Sequence, residues 1–160
     1  MKKLILAMSV VAFSAVSVQA QDAAKPTTFS IGVNAGIPTT TGLSFAYGVD
    51  IQADFAVAPT TNITASAGYE DYSAKGGGSV SGVVPLLAGV KFNLGSAQLY
   101  GHAQLGYVVS TMKGGGGAFG YAPSIGYYFS PNFDASIKYL AYSKNSLTTG
   151  SVNIRLAYNF

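Results

Sequence analysis

From residue 28 to residue 160 the chain alternates apolar and polar positions with a period of two, and the breaks in that alternation divide it into eight segments. The last is the clearest. In SVNIRLAYNF, Val152, Ile154, Leu156, Tyr158 and Phe160 share one parity, while Ser151, Asn153, Arg155, Ala157 and Asn159 share the other. A strict period of two belongs to a strand with one apolar and one polar face. The same pattern predicts strands at 28–37, 43–57, 62–72, 82–93, 98–110, 118–129 and 133–142, with the last at 151–160. The breaks carry turn chemistry: Pro38 to Gly42, Pro59-Thr60-Thr61, Leu94-Gly95-Ser96 and Ser130-Pro131-Asn132, with glycine-rich loops at 75–81 and 111–117 and a polar loop at 143–150. The fourth segment is the least regular. Val83 and Leu87 sit on its polar parity, and Pro85 and Pro123 fall inside strands, where a bulge or a local end of pairing is expected.

Alternation alone fits two opposite barrels, one soluble with an apolar interior and one membrane-embedded with an apolar exterior. Side-chain size separates them. The lumen of an eight-stranded barrel is just wide enough for side chains to fill, and several Phe, Tyr, Ile and Leu per strand would overfill it. The Gly, Ser, Ala and Asn of the other parity fit. Aromatics are also sorted by height. Phe29, Phe55, Phe92, Tyr127, Phe129, Phe133, Tyr158 and Phe160 fall near the rim that carries the termini. Phe45, Tyr47, Tyr69, Tyr107, Phe119, Tyr121 and Tyr139 fall near the other, with Val33, Ile51, Ala67, Leu86, Leu105, Ile137 and Ile154 between. Two aromatic girdles around an aliphatic band are the pattern of a membrane barrel. The expected fold is an all-β, eight-stranded antiparallel up-and-down transmembrane β-barrel.

Composition agrees. Charged residues are 9% of the chain, against about 25% in a typical soluble domain. Yet past residue 20 no run is apolar for the length of a membrane helix. Lys2 and Lys3 precede an apolar run from Leu4 to Val18, and Val18-Gln19-Ala20 supplies small residues at a cleavage site, so residues 1–20 read as a secretory signal peptide. Residues 21–27 then form a short periplasmic tail, and 28–160 the barrel domain. Removing Lys2 and Lys3 from nine basic residues leaves seven against six acidic ones, a balance that implies no nucleic-acid partner. There is no cysteine, so disulfides contribute nothing.

The aromatic carboxy-terminal strand, the eight alternating segments and the signal peptide together resemble the small outer-membrane β-barrel family of OmpX-like proteins and the OmpA transmembrane domain. The resemblance covers about residues 28–160 and implies an integral outer-membrane protein. It also implies that Tyr158 and Phe160 act as the signal read by the barrel assembly machinery, with outer-membrane lipid as the other partner and a monomeric state. It departs in its surface loops, which are all short.

The polar parity places Asp50, Asp54, Glu70, Lys91, His102, Asp134, Lys138 and Arg155 in the lumen. Enclosed charges must be paired or hydrogen-bonded, so these residues are expected to form a plug of ion pairs, with Asp50 meeting Lys138 or Arg155 and Gln52, Gln104 and Asn153 joining them. Tyr72, Tyr100, Tyr128 and Tyr142 point inward as space-fillers. The expected role is structural or interactive, with a porin-like channel for small solutes as the alternative. A lipid A-modifying enzyme, the third reading, would need a histidine beside a serine with an acid at the outer rim, whereas His102, the only histidine, is followed by Ala103 and Gln104 in the lower half of its strand. No catalytic residue, cofactor or metal site is expected; one His and no Cys leave no transition-metal cluster. The runs Gly76-Gly77-Gly78 and Gly114 to Gly117 lead into neither a helix nor a Lys-Ser/Thr pair, so they read as loops rather than phosphate cradles.

Overall fold

The computed structural model describes residues 27–112, 114–144 and 147–160; the expected signal peptide and residues 21–26 of the expected tail lie outside the described residues. Eight strands follow in order: β1 (Thr27–Pro38), β2 (Leu43–Ala58), β3 (Thr61–Ala74), β4 (Ser79–Asn93), β5 (Leu99–Ser110), β6 (Gly117–Ser130), β7 (Phe133–Lys144) and β8 (Leu147–Asn159). Each pairs antiparallel with its neighbour in sequence, and β8 closes on β1. An even number of strands brings the start of β1 and the end of β8 to one rim. At the seam Val33 lies opposite Leu156 and Asn34 opposite Arg155, and the Phe160 N–H donates to the Phe29 carbonyl at 2.8 Å. Closure satisfies the backbone groups that hydrocarbon would otherwise leave unpaired.

The alternation sets which way each side chain points. Ile51, Leu105 and Ile154 are about 60% exposed (61%, 58% and 59%) on the outer wall, while Asp50 and Arg155 beside them in sequence are buried. Aromatic pairs ring both ends. Tyr127 meets Phe129 at 5.5 Å, and Tyr158 lies 5.0 Å from both Phe133 and Phe160 at the terminal rim. Phe45 with Tyr47 and Tyr121 with Tyr139, each pair at 6.2 Å, lie toward the loop rim. On the outer wall Gly101 is covered by the ring of Phe92, its direct cross-strand partner, which restores the contact area the missing side chain leaves open.

Neither internal proline shifts the register. Pro85 pairs with Val108 of β5, but between β3 and β4 the ladder runs from Ala67↔Leu86 to Glu70↔Val83 with no pair between. Pro123 pairs with Ala103 of β5, and the β6–β7 ladder skips from Tyr121↔Ala141 to Ser124↔Lys138. Each lacks the N–H that one neighbour would accept, so pairing lapses on one side only. Irregularities lie near the strand ends instead, between Leu43 and Phe45, Ala56 and Ala58, Tyr72 and Ser73, and Tyr128 and Ser130.

Most strand ends differ from the sequence reading by one to four residues. β1 begins at Thr27, and β4 reaches back to Ser79 into the expected 75–81 loop. The polar stretch 143–150 is largely paired: Ser143↔Thr148 and Lys144↔Leu147 extend the β7–β8 hairpin. Its residues alternate in no hydrophobic sense. Backbone pairing and a 2.8 Å contact between the Ser143 and Thr148 hydroxyls carry the hairpin outward.

Candidate functional site: the barrel lumen

All eight ionisable residues assigned to the lumen are buried. Arg155 and Asp50 form the centre of the polar half. The Arg155 Nε and Nη2 donate to Asp50 Oδ1 at 2.9 and 2.6 Å, and Nε also reaches Oδ2 at 3.1 Å. Gly32 opposite Asp50 makes room: a Cβ there would lie 2.7 Å from Arg155 Nε. Lys138 Nζ approaches Asp50 Oδ2 at 3.5 Å, and the Asn34 amide donates to the same oxygen at 2.7 Å. Two cations and an amide therefore converge on one carboxylate.

A second group lies nearer the terminal rim. Lys91 pairs with Asp54, to which the Gln52 amide also donates at 2.6 Å. The Lys91 ammonium stands 4.9 Å from the Tyr100 ring centroid and 3.3 Å from the Tyr128 hydroxyl, a cation held over aromatic rings in a desolvated setting. The Tyr100 hydroxyl donates to Asp134 at 2.6 Å, and the Asn159 amide donates to the other Asp134 oxygen at 2.9 Å. Arg155 Nη1 stands 3.8 Å from Asp134 and so links the two groups.

His102 belongs to neither. Its Nε2 bonds to the Thr64 hydroxyl at 2.8 Å, within the lumen. Gln104 bonds to Ser66, and Asn153 to Glu70, rather than to the Asp50 centre. Glu70 accepts from the Ser151 hydroxyl at 2.6 Å. In the polar middle a void of about 10 Å³ is bordered by Gln52, His102, Lys138 and Arg155, enough for at most a single water. Toward the terminal rim the lumen opens into a recess of about 490 Å³, lined by Asp54, Asn62, Gln98, Tyr128 and Asn159 among others.

The loop-side half of the lumen has a different character, one the sequence reading did not assign. Ala46, Tyr72, Val83, Leu87, Val108, Ala122 and Leu140 are buried together, with Leu43 and Tyr142 packed against them. The residues that broke the polar parity of β4 are therefore inward-facing members of an apolar layer contributed by β2 to β7. The available signal was that apolar residues replace polar ones on the inward parity of several strands at similar distances from the loop rim.

Comparison with known proteins follows this architecture. A family model described as "Outer membrane protein beta-barrel domain" matches residues 8–160. No match was found among curated proteins. Among solved structures, the N-terminal β-barrel domain of Pseudomonas aeruginosa OprF aligns with a TM-score of 0.63 at 14% identity, over 83% of this chain and 97% of that one. Ail, the attachment invasion locus protein of Yersinia pestis, aligns at 0.59 and 14%, over 84% and 97%. The outer membrane enzyme PagL aligns at 0.62 and 12%, over 80% and 97%. At these identities the structural likeness concerns the fold.

Proposed function

The chain belongs to the outer membrane protein β-barrel domain family, and from that premise we propose that it is a non-enzymatic, non-conducting barrel whose role in the envelope is structural or interactive. The observation that carries this reading is the stacking of two different fillings in one lumen. An ion-paired polar half with a void of about 10 Å³ lies beneath the buried layer of Tyr72, Val83, Leu87, Val108 and Leu140. A hydrated ion crossing such a barrel would have to displace paired charges and then enter an apolar constriction, which excludes water. The chain acts as a monomer in outer-membrane lipid, and Tyr158 and Phe160 are its signal to the barrel assembly machinery. The cleaved signal peptide of residues 1–20 delivers it, and the recess of about 490 Å³ faces the periplasm.

His102 supports the non-enzymatic reading, because its partner is Thr64 inside the barrel, away from the lipid A that a modifying enzyme must reach. Planar-bilayer recording of the refolded protein tests the proposal. Wild type is expected to show no steady open state, while replacing Leu87 and Leu140 together by Ser is expected to admit water and raise conductance. A steady wild-type current would overturn the reading in favour of a porin-like channel for small solutes. A change in lipid A mass on expression would overturn it in favour of an enzyme.

A further inference from the structure

Two hollows of opposite character meet at the terminal rim. The polar recess of about 490 Å³ is lined by Asp54, Asn62 and Gln98 within the mouth, and it reaches over the rim to Tyr127 and Phe129. The same two rings border a groove of about 320 Å³ on the outer wall, whose far end is closed by Ile125, Ile137 and Ile154. Those three isoleucines form one row across β6, β7 and β8. From Ile125 to Phe129 the groove follows four residues of β6, about 14 Å of strand, or about 10 Å of height at a tilt near 40°. The hydrocarbon of one leaflet is about 15 Å deep, so the groove lies within the leaflet on the terminal side.

Ala135 opens this groove. It stands between its cross-strand partners Tyr127 and Leu156, a methyl group between two large outward side chains. Beside it Gly126 pairs with Ser136. A Cβ on Gly126 would point inward at Tyr100, and Ser136 is buried, so this pair lines the groove with backbone alone.

A molecule that fills both hollows needs a polar end and an apolar chain about one leaflet long. Packing into the groove gives little preference over bulk lipid by itself, because lipid tails are as apolar as the wall; the recess supplies the selection. Among the described residues that line it, Asp54 is the one carrying a formal charge, and Lys91 already pairs with it. An anionic headgroup would find no free cation there. A zwitterion fits better: the Asn62 and Gln98 amides can donate to a phosphate, while a carboxylate with lone pairs to spare and the Tyr128 ring suit an ammonium. A second barrel could cover the groove but could not also enter the mouth of the lumen. We infer that the barrel holds one zwitterionic phospholipid of the terminal-side leaflet, its headgroup in the recess and one acyl chain in the groove over Ala135. This site needs the barrel to lie in a membrane and is independent of whether it conducts.

The test is native mass spectrometry of the full barrel released from nanodiscs of equal phosphatidylethanolamine and phosphatidylglycerol. Wild type is expected to keep one phosphatidylethanolamine at collision energies that strip the remaining lipid. Ala135→Phe fills the groove from the lipid side and is expected to lower the retained fraction about fivefold. Gln98→Lys adds a cation to the recess and is expected to turn the preference toward phosphatidylglycerol. Nuclear Overhauser contacts between acyl methylenes and the Ala135 methyl of wild type, in nanodiscs of either lipid alone, are expected to be stronger with phosphatidylethanolamine, and they decide the question should a variant fail to fold. Equal retention of both lipids by wild type, retention unchanged in Ala135→Phe, or a Gln98→Lys barrel with the wild-type preference overturns the inference. So does a lipid-free dimer, which would give the groove to a second copy.

Discussion

Replacing Arg155 with Ala removes the guanidinium on which the polar half of the lumen is centred. The side chain makes bidentate bonds to Asp50, a 3.2 Å bond to Ser30 and a 3.8 Å approach to Asp134, and it is buried. Deleting one partner of a buried pair costs about 3–5 kcal/mol because the other charge is left behind. Here Asp50 keeps Lys138 at 3.5 Å and Asn34 at 2.7 Å, and Asp134 keeps Tyr100 and Asn159. The lower end of that range, about 3 kcal/mol, is therefore expected. The measurement is reversible urea unfolding in lipid vesicles followed by far-UV circular dichroism, since the chain has no tryptophan. A double-mutant cycle with Asp50→Asn separates loss of a contact from the stranded charge: the combined variant is expected to be more stable than the sum of the single losses by about 1.5 kcal/mol or more. An Arg155→Ala variant within about 0.5 kcal/mol of wild type, or strict additivity in the cycle, would refute the reasoning.

Leu105→Arg puts a charge on the lipid face at mid-height and is expected to cost about 2–4 kcal/mol by the same unfolding assay, whereas Ile37→Arg near the loop rim should cost about 0–1; equal costs would contradict the assigned depths. Gly126→Ala would set a Cβ 2.3 Å from Tyr100 Cζ and 2.8 Å from Ser136 Cβ. The Tyr100 ring is anchored to Asp134, so the substitution is expected to cost about 1–3 kcal/mol as an overpacked site, read as a lower urea midpoint.

The lumen was only partly legible in the sequence. That Asp50, Lys138 and Arg155 point inward follows from their parity. That Arg155 reaches across Gly32 to Asp50, 105 positions away, depends on the stagger with which β8 meets β1, which no local pattern encodes. The separate bonding of Gln104 to Ser66 and of Asn153 to Glu70 has the same origin, because each takes the partner brought nearest by shear, whereas Gln52 takes Asp54 two residues along its own strand. Tyr100 and Tyr128 are more than fillers for this reason too: the stagger sets them against Lys91 and Asp134.

What the chain determines by itself is the direction of each side chain, because a period of two needs no tertiary information: once extended, Ile154 and Arg155 must face opposite ways. Bulky apolar residues on one parity and small or ionic ones on the other then leave a barrel turned apolar side out as the arrangement that fits the available volume. Which inward residues meet is decided only on closure, when eight strands at a fixed stagger bring distant positions to the same height. That step joins Val83 and Leu87 to Leu140 in an apolar layer, and it brings Ser151 and Asn153 of β8 to Glu70 of β3.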